Sequence, residues 1–274
     1  MLKAIALALL VAMWLSPENT AQAQQIRVAA SDNAYADIAR QIGGTAVTVS
    51  IADSRSGETS MIRPESIVLC GWADDALRAA ARRASSTTLI ELPRQASDEL
   101  VSVAVPWYDT ASMFALAQAY ADQLMRIRPD LALRFTGNLA QMRVGFDAIA
   151  RRIREIGKAY ANSEVIAADP LSRGVANKLG FKTAGPVSPD DSRNVISAES
   201  LNALEKELEG REGSIFLYDR DVATTEMKKL VSVATQHDVP PVGLQDKLPT
   251  GLHYQQWVLR QWNMVHGALN QASP

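Results

Sequence analysis

The sequence has little of what most metal, redox and catalytic sites are built from. It holds one cysteine, Cys70, which excludes an internal disulfide framework and a cysteine-rich zinc site. Its three histidines, His237, His253 and His266, do not group. The last two would share a helix yet point about 220° apart at 3.6 residues per turn. Neither charge dominates: 28 Lys and Arg stand against 30 Asp and Glu, a formal net charge of -2. A nucleic-acid binder would carry a basic face, so nucleic acid is not an expected partner. The sequence shows none of G-x-S-x-G, H-E-x-x-H, G-x-G-x-x-G and G-x-x-x-x-G-K-[ST], so no common enzyme signature appears and no catalytic residue is assigned. No apolar run reaches the roughly 20 residues that span a bilayer.

What is present begins with an address. Lys3 precedes the apolar run Ala4–Leu15, and Ala21-Gln22-Ala23 supplies a small-x-small pattern. This predicts a signal peptide over residues 1–23, cleaved after Ala23, and an exported, periplasmic mature chain.

Beyond it, strand-like runs alternate with helical patterns. Ile26–Ala30, Val47–Ile51, Ile67–Cys70, Leu89–Leu92 and Leu100–Val105 read as strands of a first half. Val165–Ala168, Ser214–Tyr218 and Val239–Leu244 read as strands of a second. Such alternation implies parallel sheets flanked by helices. Between the halves, Phe135, Leu139, Met142, Phe146, Ile149, Ile153 and Ile156 recur at intervals of four and three, a single apolar stripe. The pattern predicts one helix over Asp130–Tyr160, roughly 46 Å long at 1.5 Å per residue. A coiled-coil dimer would fit the stripe too, but a spine between two α/β units fits its flanks better. The expected fold is α/β: an N-terminal lobe over 24–129, a linking helix over 130–160 and a C-terminal lobe over 161–274, with a ligand cleft between the lobes. A monomer is expected.

In open parallel sheets, ligands bind beyond the carboxyl ends of the strands. The residues there include Asp32, Glu58, Trp107, Tyr108, Asp169, Arg193, Asp219 and Asp246, which form the candidate ligand-binding set. Carboxylates favour a hard cation with oxygen ligands, whereas the arginines and aromatics suit an anionic or planar organic ligand. Asp32, Asp219 and Asp169 also read as helix N-caps, Asp169 being followed by Pro170 at the first helical position. Trp107 equally reads as core.

The order of several short motifs resembles the metal-binding solute receptors of bacterial zinc/manganese ABC importers. These are Ile26–Ser31, Ile38–Gly44 with Val47-Thr48-Val49, Trp107-Tyr108-Asp109-Thr110, Arg128-Pro129-Asp130 and Asp169-Pro170 through Leu179-Gly180. The resemblance implies a two-lobed receptor delivering a metal ion or a small-molecule chelate to an ABC permease and its ATPase. It implies no enzymatic activity, and no cofactor beyond a divalent metal ion as transported ligand. That family holds its ion with three histidines and a carboxylate. Here residues 52–63 contain no histidine, Val105 or Pro106 stands before the tryptophan, and Ala168 or Asp169 opens the second lobe. The resemblance therefore leaves Asp169 and Asp246 as metal ligands, a set suited to a hard cation or a chelate rather than zinc. The alternative is a non-transport periplasmic accessory or adhesion protein on the same fold, its metal site lost.

Overall fold

The computed structural model describes residues 25–52, 66–71, 74–93, 106–161, 163–184, 198–209 and 214–272. The expected signal peptide, the Leu100–Val105 strand, Glu58 and Arg193 lie outside them.

The first half forms β1 (Ile26–Ala30), α1 (Asn33–Gly43), β2 (Val47–Ile51), β3 (Ile67–Cys70), α2 (Asp75–Arg83) and β4 (Thr88–Glu91). Its sheet is parallel throughout, in the order β2-β1-β3-β4. After α3 (Thr110–Ile127) and α4 (Ala132–Ala159), the second half forms β5 (Glu164–Ala167), α5 (Pro170–Lys178), β6 (Lys182–Ala184), α6 (Ala198–Glu209), β7 (Phe216–Asp219), α7 (Thr225–Gln236), β8 (Pro241–Leu244) and α8 (Tyr254–Ala272). Its sheet repeats the topology as β6-β5-β7-β8, again parallel. In each sheet the chain leaves the central first strand, returns on one side, then crosses to the other. That reversal creates the switch point beside β1 and β5 where a crevice opens.

The spine is α4, 28 residues long and about 42 Å at 1.5 Å per residue. It starts at Ala132, after a 3-10 turn at Pro129–Leu131, rather than at Asp130. Phe135, Met142, Phe146, Ile149 and Ile156 are buried, with Leu139 and Ile153 packed beside them, so the stripe faces the core as its spacing predicts. α4 packs on α1 and α3 from the first half and on α8 from the second. Gly145 permits the α8 crossing: a Cβ there would lie 2.7 Å from Gln255 Cβ.

The main core is continuous between the halves. It runs from Val28, Ile38 and Ile67 through Phe146 and Tyr254 to Trp257, Leu217 and Leu244. Smaller clusters fill the outer layers, one between the second sheet and α6–α7, one between the first sheet and α2.

Candidate functional site

The carboxyl ends of β5, β7 and β8 each deliver an aspartate. Asp169 follows β5 and caps α5: its Oδ1 accepts the Ser172 amide at 2.8 Å, and the Ser172 hydroxyl accepts the Asp169 amide at 3.1 Å. Pro170 fits because the first helical position needs no amide donor. The other oxygen, Oδ2, accepts the Asp219 amide of β7 at 2.6 Å. Asp219 Oδ1 in turn accepts the Asp221 amide at 2.8 Å, and Asp221 Oδ2 accepts the Asp246 amide at 3.2 Å. A relay of carboxylate-to-backbone bonds thus runs along one edge, from β5 across β7 to the turn after β8. Asp169 and Asp246 belong to the same edge, with Asp219 between them, rather than to opposing walls.

Two carboxyls of this edge, Asp169 and Asp219, are harder to ionise than free ones. Burial pushes the Asp169 carboxyl up, opposed by its bonds to Ser172 and Asp219. The Asp219 carboxyl is pushed up to about 6, first by burial and then by the charges of Asp169, Asp246 and Asp221. An acid raised in the folded state binds more protons than in the unfolded chain between its two pKa values. Its charge therefore weakens the fold above about pH 6, and that loss is recovered as pH falls toward about 4. Asp219→Asn is expected to raise the thermal midpoint at pH 7.5 and to flatten its dependence between pH 4 and 6. Melts of both forms across that range check it.

The first half presents a second acidic edge. Asp32 caps α1, its Oδ1 accepting the Ala34 amide at 2.8 Å, and Asp74 Oδ2 accepts the Gly71 amide at 2.7 Å. Tyr35 lies between them, fully buried, its hydroxyl without a hydrogen-bond partner. Gly71 makes room for it, since a Cβ there would stand 2.6 Å from the Tyr35 oxygen. Burial, then Asp74 and Asp32, pushes the Tyr35 phenol up, so it stays a neutral donor.

The turn Pro106–Tyr108 ties the first half to the segment after β8 and to α8. Trp107 and Tyr108 are 8% and 3% exposed, so both belong to the packed junction, as the core reading of Trp107 anticipates. Tyr108 stacks edgewise on Trp262 with ring centres 5.7 Å apart and donates its hydroxyl to the Gln245 carbonyl at 2.9 Å. The Tyr254 hydroxyl donates to the Trp107 carbonyl. Asp109, buried, accepts from the Ser112 hydroxyl at 2.6 Å and pairs with Lys178 of α5 at 3.2 Å. Burial followed by the nearby Asp246 charge pushes the Tyr108 phenol up.

Among the described residues no group of three or more His, Cys, Asp or Glu is arranged to hold a metal ion. The histidines serve the framework. His237 ends α7, His266 Nδ1 lies 3.1 Å from Arg152, and His253 Nδ1 lies 2.9 Å from Asp37. Cys70 is buried in β3, its thiol pushed up to about 12 chiefly by burial.

The profile of the periplasmic zinc-uptake complex component A family, ZnuA, matches residues 105–264, more than half of the sequence. The chain belongs to this family. Solved structures agree on the ZnuA fold. The periplasmic zinc-binding protein TroA of Treponema pallidum is 14% identical with a TM-score of 0.67, the match covering 90% of this chain and 99% of that one. The solute-binding protein FpvC of Pseudomonas aeruginosa, in complex with Mn²⁺, is 14% identical with a TM-score of 0.68, covering 91% and 100%. The Mn-bound periplasmic metal-binding protein of Candidatus Liberibacter asiaticus is 15% identical with a TM-score of 0.65, covering 89% and 100%. No curated protein sequence matches the chain. The two parallel sheets and the long α4 are those of a ZnuA-like receptor, and the expected fold class and family stand.

Sequence reasoning missed Asp37, Tyr35, Lys178 and Asp221. Asp37 carried a signal, a carboxylate embedded in the apolar stretch Ala34–Ile38. The others gain their roles from contacts 25 or more positions away along the chain, or from burial that no local pattern reveals.

Proposed function

We propose that this ZnuA-family protein is the periplasmic solute receptor of an ABC importer and that its ligand is a metal chelate rather than a bare zinc ion. The lobes over 24–129 and 161–274 hold it between their acidic edges, the helix over 130–160 fixing their separation. A permease and its ATPase receive it. Export follows cleavage after Ala23, and the receptor works as a monomer. The observation that carries the reading is the relay Asp169–Asp219–Asp221–Asp246, in which Asp169 and Asp219 hold their charge at a cost that a cation would relieve. Each amide taken up by the relay consumes part of a carboxylate's coordinating capacity. Oxygen donors supplied by a chelator complete the shell that these aspartates leave short. Asp219 and Asp246 face the ligand, Asp169 orients Asp219, and Asp32 closes the opposite edge. Glu58 and Arg193 complete the ligand-binding set, Arg193 meeting the anionic part of the chelate.

Calorimetric titration with Mn²⁺, Zn²⁺ and ferric citrate tests this. Ferric citrate is expected to bind more tightly than either bare ion, with Asp246→Ala weakening it at least roughly tenfold, as loss of one charged ligand does. Tight stoichiometric Zn²⁺ binding that survives Asp246→Ala would overturn it. The second reading, an accessory protein on the same fold, draws on the missing three-ligand cluster among the described residues. It predicts no heat with any of the three.

A further inference from the structure

Helix α8 is capped by a residue that lies more than two hundred positions before it. Asp37 sits on α1, in the first lobe, and its side chain is 13% exposed. Its Oδ2 accepts the Tyr254 amide, the first of α8, at 2.7 Å and the Gln41 amide group at 2.6 Å. Its Oδ1 lies 2.9 Å from His253 Nδ1. Beside it Gln41 and Gln255 exchange side-chain hydrogen bonds at 3.0 and 3.2 Å. The Tyr254 amide is buried at a helix start, where an unmatched donor is costly. An acidic cap there also meets the positive end of the α8 dipole.

The segment that α8 closes is the one that carries Asp246. It leaves β8 at Leu244 and enters α8 at Tyr254, and the first lobe holds it at both ends. Tyr108 donates to the Gln245 carbonyl at one end, and Asp37 takes the Tyr254 amide at the other. Within the second lobe, Gln261 reaches the Gln245 side chain at 3.2 Å.

The geometry assigns to Asp37 the role of a positioning residue: by capping α8 from the opposite lobe it fixes the segment 245–253, and with it Asp246, relative to the first lobe. A carboxylate is the group this requires. It must accept from a backbone amide, an amide side chain and an imidazole at once, which its two oxygens can do and a hydroxyl cannot. The ligand role of Asp246 rests on the reading proposed above; the clasp itself does not.

Hydrogen exchange followed by mass spectrometry on the mature protein without ligand decides the matter. Asp37→Ala is expected to speed exchange roughly tenfold across 245–257, the loss expected for a removed cap, while β1, β3 and β5 keep their wild-type rates. Asp37→Asn keeps an oxygen for the Tyr254 amide and is expected to show the same footprint at smaller amplitude; it carries the test if the alanine variant does not fold. An effect confined to the Tyr254 amide, one spread evenly over both sheets, or none in either variant would overturn the assignment. Ferric citrate added to the wild type separates the two claims. Slower exchange at 245–248 supports Asp246 as a ligand residue, and no change there counts against that reading while leaving the footprint of Asp37 to decide the clasp.

Discussion

Phe146→Asp is expected to leave the protein largely unfolded at 37 °C. Phe146 is 5% exposed on α4, its ring centre 5.2 Å from that of Phe114 on α3 and 5.3 Å from that of Tyr254 on α8. It therefore touches both helices that the spine holds together. Truncating a buried phenylalanine costs about 3–5 kcal/mol, and an unpaired buried carboxylate adds to this. The sum rivals the whole stability of an ordinary domain, about 5–15 kcal/mol. Arg143 lies on the solvent side of α4, its guanidinium 5.4 Å above the Phe114 ring. Arg143→Ala is expected to cost less than about 1 kcal/mol, the worth of an exposed cation–π contact. Urea denaturation of the two variants measures the contrast, and equal losses would show that α4 is not the spine of a shared core.

The second large effect is expected at Lys178. Its ammonium lies 3.2 Å from Asp109, whose side chain is 1% exposed while that of Lys178 is 32% exposed. Lys178→Met removes the cation and leaves the carboxylate buried with the Ser112 hydroxyl. Breaking one partner of a buried pair costs about 3–5 kcal/mol, and the partial exposure of the lysine places this case at or below the lower end. Asp109→Asn combined with Lys178→Met is expected to recover most of the loss, because the stranded charge is then gone. A double-mutant cycle from denaturation midpoints checks the recovery. Additive losses would mean that the pair contributes nothing as a pair.

The contrast between these two sites shows what a sequence makes legible. Phe146 announces itself, because the four-and-three spacing of its stripe is a local property of one helix. The same holds for Val47-Thr48-Val49 as a strand and for Leu179-Gly180 as a helix end, where Gly180 adopts φ +74°. β6, three residues with no alternation, offers no such period. Lys178 and Asp109 are 69 positions apart, and Asp37 and Tyr254 are 217 apart. Pairings of that range follow from how the two halves dock, which no window of residues encodes. The candidate site lies between these cases. Strand ends can be read from the sequence, and Asp169, Asp219 and Asp246 stand at them. That one carboxylate takes the next residue's amide in a relay along the edge is a consequence of the order β5-β7-β8, visible in the folded chain alone.

The relay also bears on motion. Its bonds run from side chain to backbone within one lobe, whereas Asp37, Tyr108 and Lys178 tie that lobe to the other. These bonds fix both edges in place before any ligand arrives. Preorganisation of this kind lowers the ordering cost of binding.

Native mass spectrometry of the protein released intact from the periplasm tests the central claim most directly. The account predicts a mature chain beginning at Gln24 that carries one additional mass, a metal together with its chelator, and that loses this mass in Asp246→Ala with its folded charge distribution unchanged. A wild-type chain carrying a single bare zinc ion, retained by Asp246→Ala, would contradict it.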